Sequence, residues 1–131
     1  MESATETNDV DLMELARRND HFRRVVTTGA HQQVVVMTVP PGEEIGEETH
    51  PGIDQMLLFV DGEGTAVIEG QPSPVQPGQL VFVPGGTLHN FVNDGDRPLR
   101  LITTYAPPEH PPGTVHASKA EADEAEHHHD H

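Results

Sequence analysis

The sequence contains no cysteine. This absence excludes both a disulfide framework and a metal site built from thiolates. The sequence also has no run of about 18 apolar residues, so no segment is predicted to span a membrane. The N-terminus, MESATETNDVD, is acidic and polar and lacks the basic and apolar regions of a signal peptide, so we expect a cytoplasmic protein.

Basic residues are scarce as well. The chain has 7 Lys and Arg against 22 Asp and Glu, which gives a formal net charge of −15. Nucleic acids and anionic membranes are bound through positively charged surfaces, which this composition does not supply. We therefore expect neither as a partner, and a small molecule or a second copy of the chain is the expected partner.

Glycine and proline are abundant, with 12 of each in 131 residues, and they separate short apolar runs. Such spacing favours an all-β sandwich or barrel over long helices. DGEG, residues 61–64, is interpreted as a hairpin connection, and GQPSP, residues 70–74, as a turn. The strand-like runs are FRRVVTT, QQVVVMTV, QMLLFV, TAVIE, QLVFV, HNFVN and LRLITTY.

The two ends differ from this pattern and define three segments. Residues 1–20 form a polar extension with a short helix over 9–19, which Asp9 or Asp11 can cap. Residues 21–106 form the barrel. Residues 107–131 begin as a proline-rich extended segment, contain a capping box from Ser118 to Glu121, and end in an acidic tail with His127, His128, His129 and His131. We interpret this histidine tail as solvated, with weak metal affinity.

A polar stretch, EETHPGIDQ, residues 47–55, interrupts the valine-rich pattern. Glu48 and His50 are two residues apart, so on a strand their side chains share one face. Gln55 follows a Pro-Gly turn, and His89 follows the turn PGG. Burying four such side chains inside an apolar barrel would cost several kcal/mol unless a cation satisfied them. The competing interpretation is a polar pocket that holds only water.

Residues 78–93, GQLVFVPGGTLHNFVN, resemble the second motif of the cupin superfamily, G(X)5PXG(X)2H(X)3N, at every fixed position. The first cupin motif is G(X)5HXH(X)3–4E(X)6G. Here its glycine frame is kept from Gly42 to Gly62, with Glu48 in place of the first histidine and Gln55 in place of the glutamate. The resemblance covers about residues 34–105. It implies a cupin jelly-roll barrel of two antiparallel sheets.

The resemblance also implies a divalent transition metal, Fe, Mn, Ni or Zn, held by Glu48, His50, Gln55 and His89. Two imidazoles and one carboxylate suit such metals, and the Gln55 amide oxygen is a weak fourth ligand. The implied function is that of a metal-dependent enzyme acting on a small organic molecule, by dioxygenase-type oxidation or sugar-type isomerisation. The alternative is a non-catalytic module that binds a metal or small ligand.

Other residues receive more ordinary roles. Phe59, Phe82 and Phe91 are expected in the core or the pocket wall, Asn93 in a turn, and Tyr105 either in a pocket or buried with one partner. His110 and His116 reach the pocket only if the proline-rich segment folds over the barrel mouth. For Arg97 and Arg100, the strand register decides whether they point inward.

Two apolar runs, MLLFV (residues 56–60) and LVFVP (residues 80–84), lack the alternation of a strand with one wet face. Either a partner subunit or the chain's own end segments would then cover them. From these runs and the small size of the chain we predict a homodimer.

Overall fold

The computed structural model describes residues 2–3 and 5–129, with side chains for residues 5–125. Its regular structure is mainly short strands, joined by turns that carry glycine and proline. The strands are β1 (Glu2–Ser3), β2 (Arg23–Thr28), β3 (Gln33–Val39), β4 (Asp54–Asp61), β5 (Gly64–Ile68), β6 (Gln71–Val75), β7 (Leu80–Val83), β8 (His89–Val92), β9 (Leu99–Ala106) and β10 (Thr114–His116), and the helices are α1 (Leu12–Arg18) and α2 (Lys119–His129).

These strands form two antiparallel sheets. The larger sheet has the order β1-β10-β2-β3-β9-β4-β7, and the smaller has the order β6-β5-β8. Inward-facing side chains such as Leu57, Phe59, Phe91 and Leu101 fill the space between the sheets and are completely buried. The predicted all-β jelly roll with little helix is therefore confirmed.

Helix α1 packs on the outer face of the larger sheet. Asp11 caps it, because its carboxylate accepts a hydrogen bond from the Glu14 N–H at 3.1 Å. Leu15 and Ala16 are buried in a second apolar cluster with Val36 and Val60 of the sheet. The predicted N-terminal helix thus covers part of the barrel with its own apolar side.

The C-terminal segment returns to the barrel. Strand β10 pairs with β2, and β1 pairs with β10, so the larger sheet runs beyond the range 21–106 at both chain ends. Helix α2 begins as the capping box predicts, with the Ser118 hydroxyl accepting from the Glu121 N–H at 3.1 Å. Ala122 on this helix is buried in the main core. The side chains of the histidine tail lie outside the described residues.

Two turn assignments were wrong. Residues 61–64 do not close a hairpin, because β4 belongs to the larger sheet and β5 to the smaller. A Cβ at Gly62 would collide with the Pro98 carbonyl oxygen, so glycine permits this crossing between the sheets. Residues 71–75 form strand β6 rather than a turn. This strand lies at a sheet edge, where proline's missing N–H is tolerated.

The apolar runs differ in how their outer faces are covered. In β4, Leu57 and Phe59 point into the core, while Leu58 and Val60 pack against the cluster under α1. In β7 the chain does alternate: Val83 is buried, but Leu80 and Phe82 are more than half exposed. The expectation that Phe82 lies in the core or the pocket wall was therefore wrong.

No helix among the described residues combines the length and the apolar character needed to cross a lipid bilayer.

Candidate metal centre

The two polar motifs lie side by side in the barrel. Glu48 and His89 form an antiparallel bridge, with N–H to carbonyl distances of 2.9 and 3.0 Å in the two directions. The bridge joins the loop before β4 to the first residue of β8. His50 follows two residues after Glu48, and its Nε2 lies 3.7 Å from Glu48 Oε1. The backbone therefore brings residues about forty positions apart into one group.

The ring of His89 is oriented by a backbone carbonyl. Its Nδ1 lies 2.9 Å from the Thr87 carbonyl oxygen, and the side chain is only 2% exposed. A carbonyl oxygen can only accept, so in the neutral ring Nδ1 carries the hydrogen and Nε2 keeps its lone pair. Metal-ligating histidines are commonly oriented by such a hydrogen bond on the other ring nitrogen.

Two carboxylates flank His50. Glu109 Oε2 lies 3.5 Å from Nδ1, on the opposite side of the ring from Glu48. Burial raises the pKa of Glu48. The hydrogen bond to His50 and the charges of His50, Arg23 and His89 outweigh that effect, so this pKa lies below its ordinary value. Glu48 is therefore an anion at neutral pH and gives the group its negative charge.

Gln55 presents an amide oxygen without a hydrogen bond. The side chain is 4% exposed, and its Nε2 donates to the Thr103 hydroxyl at 3.0 Å. Its Oε1 is buried and accepts no hydrogen bond from any described residue. Leaving a buried acceptor unpaired costs about 1–3 kcal/mol, so a ligand for this oxygen would relieve a real penalty.

We call Glu48, His50, Gln55 and His89 the metal cluster. One ligand atom each from Glu48, His50 and His89 lies within 4.8 Å of the others. Bonds of about 2.0–2.2 Å to nitrogen and oxygen place two ligands of one ion up to about 4.4 Å apart, so small rotations would close the site. Two imidazoles, one carboxylate and one amide oxygen fit a divalent transition metal.

The proline-rich segment folds over this end of the barrel. The buried Gln33 side chain holds it, donating to the His110 carbonyl oxygen at 2.7 Å and accepting from the N–H groups of Glu109 and His110 at 3.2 and 3.0 Å. The His110 ring then packs edge-on against Tyr105, with ring centroids 5.1 Å apart. Tyr105 in turn packs edge-on against His50 at 5.9 Å.

A second group of buried polar side chains lies on β2, on β10 and in the segment before β10. Arg23 was not among the predicted site residues; it is 4% exposed, and its Nη1 lies 3.2 Å from His116 Nδ1. Burial, together with the nearby charge of Arg23, lowers the pKa of His110 to about 2. We call Arg23, His110 and His116 the arginine cluster. The sequence signal was the position of Arg23 two residues before the buried Val25, on the same strand face.

Other candidate residues lie away from both clusters. Asn93 is fully buried and organises its turn, donating to the carbonyl oxygens of Val39 and Arg97, both at 2.8 Å. Arg97 pairs with Asp61 at 2.6 Å, and Arg100 pairs with Asp20 at 3.2 Å, so neither points into the barrel. Phe59 and Phe91 lie in the core as predicted.

Comparison with known proteins supplies the family. The family model described as "Cupin domain" matches residues 35–105. The chain is 40% identical over 123 residues to the uncharacterized protein YrkC of Bacillus subtilis, an alignment covering 89% of this chain and 66% of YrkC. The chain thus spans about two thirds of this relative's length.

Similarity to solved structures extends across nearly the whole chain. The crystal structure of BH2720 from Bacillus halodurans superposes with a TM-score of 0.89 at 38% identity, covering 92% of this chain and 99% of that one. A more distant relative is the oxalate-binding protein of Thermotoga maritima, 29% identical over 66 residues, which cover 50% of this chain and 54% of the relative. The chain belongs to the cupin family.

Proposed function

We propose that this protein is a metal-dependent enzyme that oxidises a small organic molecule. The observation that carries the proposal is the convergence of two imidazoles and one carboxylate, in a barrel that also buries the unpaired Gln55 oxygen. A bound metal with open positions would activate O2 or polarise a substrate oxygen. The Thr87 carbonyl oxygen fixes the ring of His89 and leaves its Nε2 free to bind the metal.

We propose oxidation ahead of sugar-type isomerisation because two candidate bases at this end of the barrel, His110 and Glu48, have lowered pKa values. Proton abstraction works best when the pKa of the base lies near the operating pH. The His110 imidazole lies over this end of the barrel, but burial lowers its pKa to about 2, which makes it a poor base. The pKa of Glu48 is also lowered, and this carboxylate is assigned to the metal.

The test begins with metal quantification in protein that lacks residues 127–131, because the histidine tail would otherwise bind metal itself. Oxygen consumption is then measured against a panel of small diols and enols. One equivalent of metal together with turnover supports the enzyme. Metal without turnover on any substrate favours the alternative, a non-catalytic binding module. Absence of metal in the truncated protein would contradict the enzyme and leave a module that binds only a small ligand.

We also propose that two copies pair through the outer faces of β4 and β7. Met56 is 37% exposed, and Leu80 and Phe82 are exposed by 52% and 54%. The register places Met56 opposite Phe82 and Leu58 opposite Leu80, so these side chains form one apolar face at a sheet edge. The net charge of −15 makes two copies repel each other, and pairing through an uncharged face adds no further repulsion at the contact. Sedimentation should show a dimer for the parent and a monomer for Phe82→Glu, and a monomeric parent would contradict the proposal.

A further inference from the structure

Arg23 is a buried cation for which residues 5–125 supply no carboxylate partner. Among the residues 5–125 for which side chains are described, no carboxylate oxygen lies within 4.0 Å of its guanidinium group. Its Nε is buried and makes no hydrogen bond there either. Its guanidinium lies 5.2 Å from the Phe22 ring centroid and 3.2 Å from His116, and neither contact supplies a negative charge. Buried arginines are normally paired with an anion, so a ligand with a negative charge would complete its contacts.

His116 adds a second donor without a partner. Arginine can only donate, so the 3.2 Å contact from Arg23 Nη1 makes His116 Nδ1 the acceptor. In the neutral ring the hydrogen then lies on Nε2, which is buried and has no partner among the described residues. Burial and the nearby Arg23 charge lower the pKa of His116, which agrees with a neutral ring. Two orphaned N–H donors therefore lie on side chains in direct contact.

One residue of the arginine cluster and one residue of the metal cluster line the same cavity. Arg23 and Glu48 both line an open cavity of about 360 Å³ between residues 44–48 and helix α2. The charge of Arg23 also acts on Glu48 and on Tyr105, which packs against His50. A small ligand on Arg23 would thus lie next to the metal cluster.

From this geometry we propose that the barrel binds a small organic anion by its carboxylate group, which accepts hydrogen bonds from Arg23 Nε and from His116. This proposal rests on the proposed function and names its substrate class. The rest of the bound anion would point toward the metal cluster. A carboxylate fits these two donors, because its oxygens accept hydrogen bonds and its negative charge pairs with the positive guanidinium. A neutral sugar or diol would bring no negative charge to the guanidinium.

The first experiment uses acetate as the probe and the full-length protein after chelation of metal. The Arg23 Nε–H signal is followed by NMR at constant ionic strength, and the signal is assigned by its absence in Arg23→Met. We expect acetate to move this signal in a saturable way, while acetamide, the neutral isostere, leaves it in place. Because no metal is needed, the outcome does not depend on whether the proposed enzyme function is correct.

The second experiment compares variants by calorimetric titration with acetate. Arg23→Met should weaken acetate binding at least about tenfold, because a hydrogen bond to a charged group is lost. Arg24→Met is the matched control: Arg24 is the next residue on β2 and points to the opposite face, so binding should change less than about twofold. Acetate should bind more tightly once zinc is added, since zinc would offset the charge of Glu48.

Three results would overturn the proposal. One is an Arg23 signal that acetate does not move at concentrations up to about 100-fold those of the protein, which means that the pocket holds water only. Another is equal weakening by Arg23→Met and Arg24→Met. The last is an affinity for acetamide equal to that for acetate. If Arg23→Met fails to fold, Arg23→Lys, which keeps the charge but lacks Nε–H, takes its place with the same tenfold expectation.

Discussion

The metal cluster and the arginine cluster are both buried at the same end of one barrel, yet they are built differently. The metal cluster comes from a loop, β4 and β8, and its spacing is visible as two motifs in the sequence. The arginine cluster joins Arg23 to His116, which is 93 residues away. Motif spacing therefore indicates side chains that lie next to local turns. Side chains that meet because the chain ends pair leave no such pattern.

The largest expected effect is a loss of metal binding that leaves acetate binding intact. In protein without residues 127–131, His89→Ala should weaken metal binding by more than about 100-fold, because it removes a ligand rather than an outer contact. Acetate binding to the metal-free variant should stay unchanged, since Arg23 and His116 are intact. Metal analysis measures the first affinity, and the acetate titration measures the second. One equivalent of metal bound as tightly as in the truncated parent would show that our site assignment is wrong.

The second effect ranks the oxygen ligands within the metal cluster. Glu48→Gln removes the only charged ligand and should weaken metal binding by about tenfold or more, while Gln55→Ala removes a neutral amide oxygen and should cost less than about tenfold. Both affinities are measured by competition with a chelator in the truncated protein. A Gln55→Ala defect larger than that of Glu48→Gln would reverse the assigned order.

A smaller effect is the loss of metal binding at low pH, which depends on protonation of the histidines in the metal cluster. Metal binding should fall as the pH drops below about 6.5, where free imidazoles take up protons and stop ligating. The truncated protein is needed, because the histidine tail would give a similar profile. The metal content is measured from pH 7 to pH 5, and a constant value over this range would contradict imidazole ligation.

The smallest effect lies in the arginine cluster of the metal-free protein. Below pH about 6.5 the unfolded chain binds a proton at His110, while the folded protein does not, because burial lowers that pKa to about 2. Stability should therefore decrease as pH falls, by at most about 1.4 kcal/mol per pH unit from this group. Urea unfolding at pH 7 and pH 5 should show a smaller loss for His110→Gln than for the parent. Equal losses would mean that His110 protonates freely when folded.

Much of the fold followed from local chemistry. Turn residues between short apolar runs predicted the antiparallel sheets, and Asp11 was a recognisable helix cap. The failures have physical causes. DGEG resembles a hairpin turn, but whether the strands on either side pair is decided by the rest of the sheet. Phe82 resembles a core residue, but the pleat of β7 turns it outward while Val83 points in.

The barrel and the grouping of Glu48, His50 and His89 could be predicted from the sequence, because the two glycine frames fix the turns next to these residues. The arginine cluster and the position of the C-terminal segment could not be predicted from it. Those depend on β2 pairing with β10 and on Gln33 holding residues 109–110. Hydrogen bonds between distant segments form wherever folding brings matching groups together, and no local pattern of residues encodes which groups will meet.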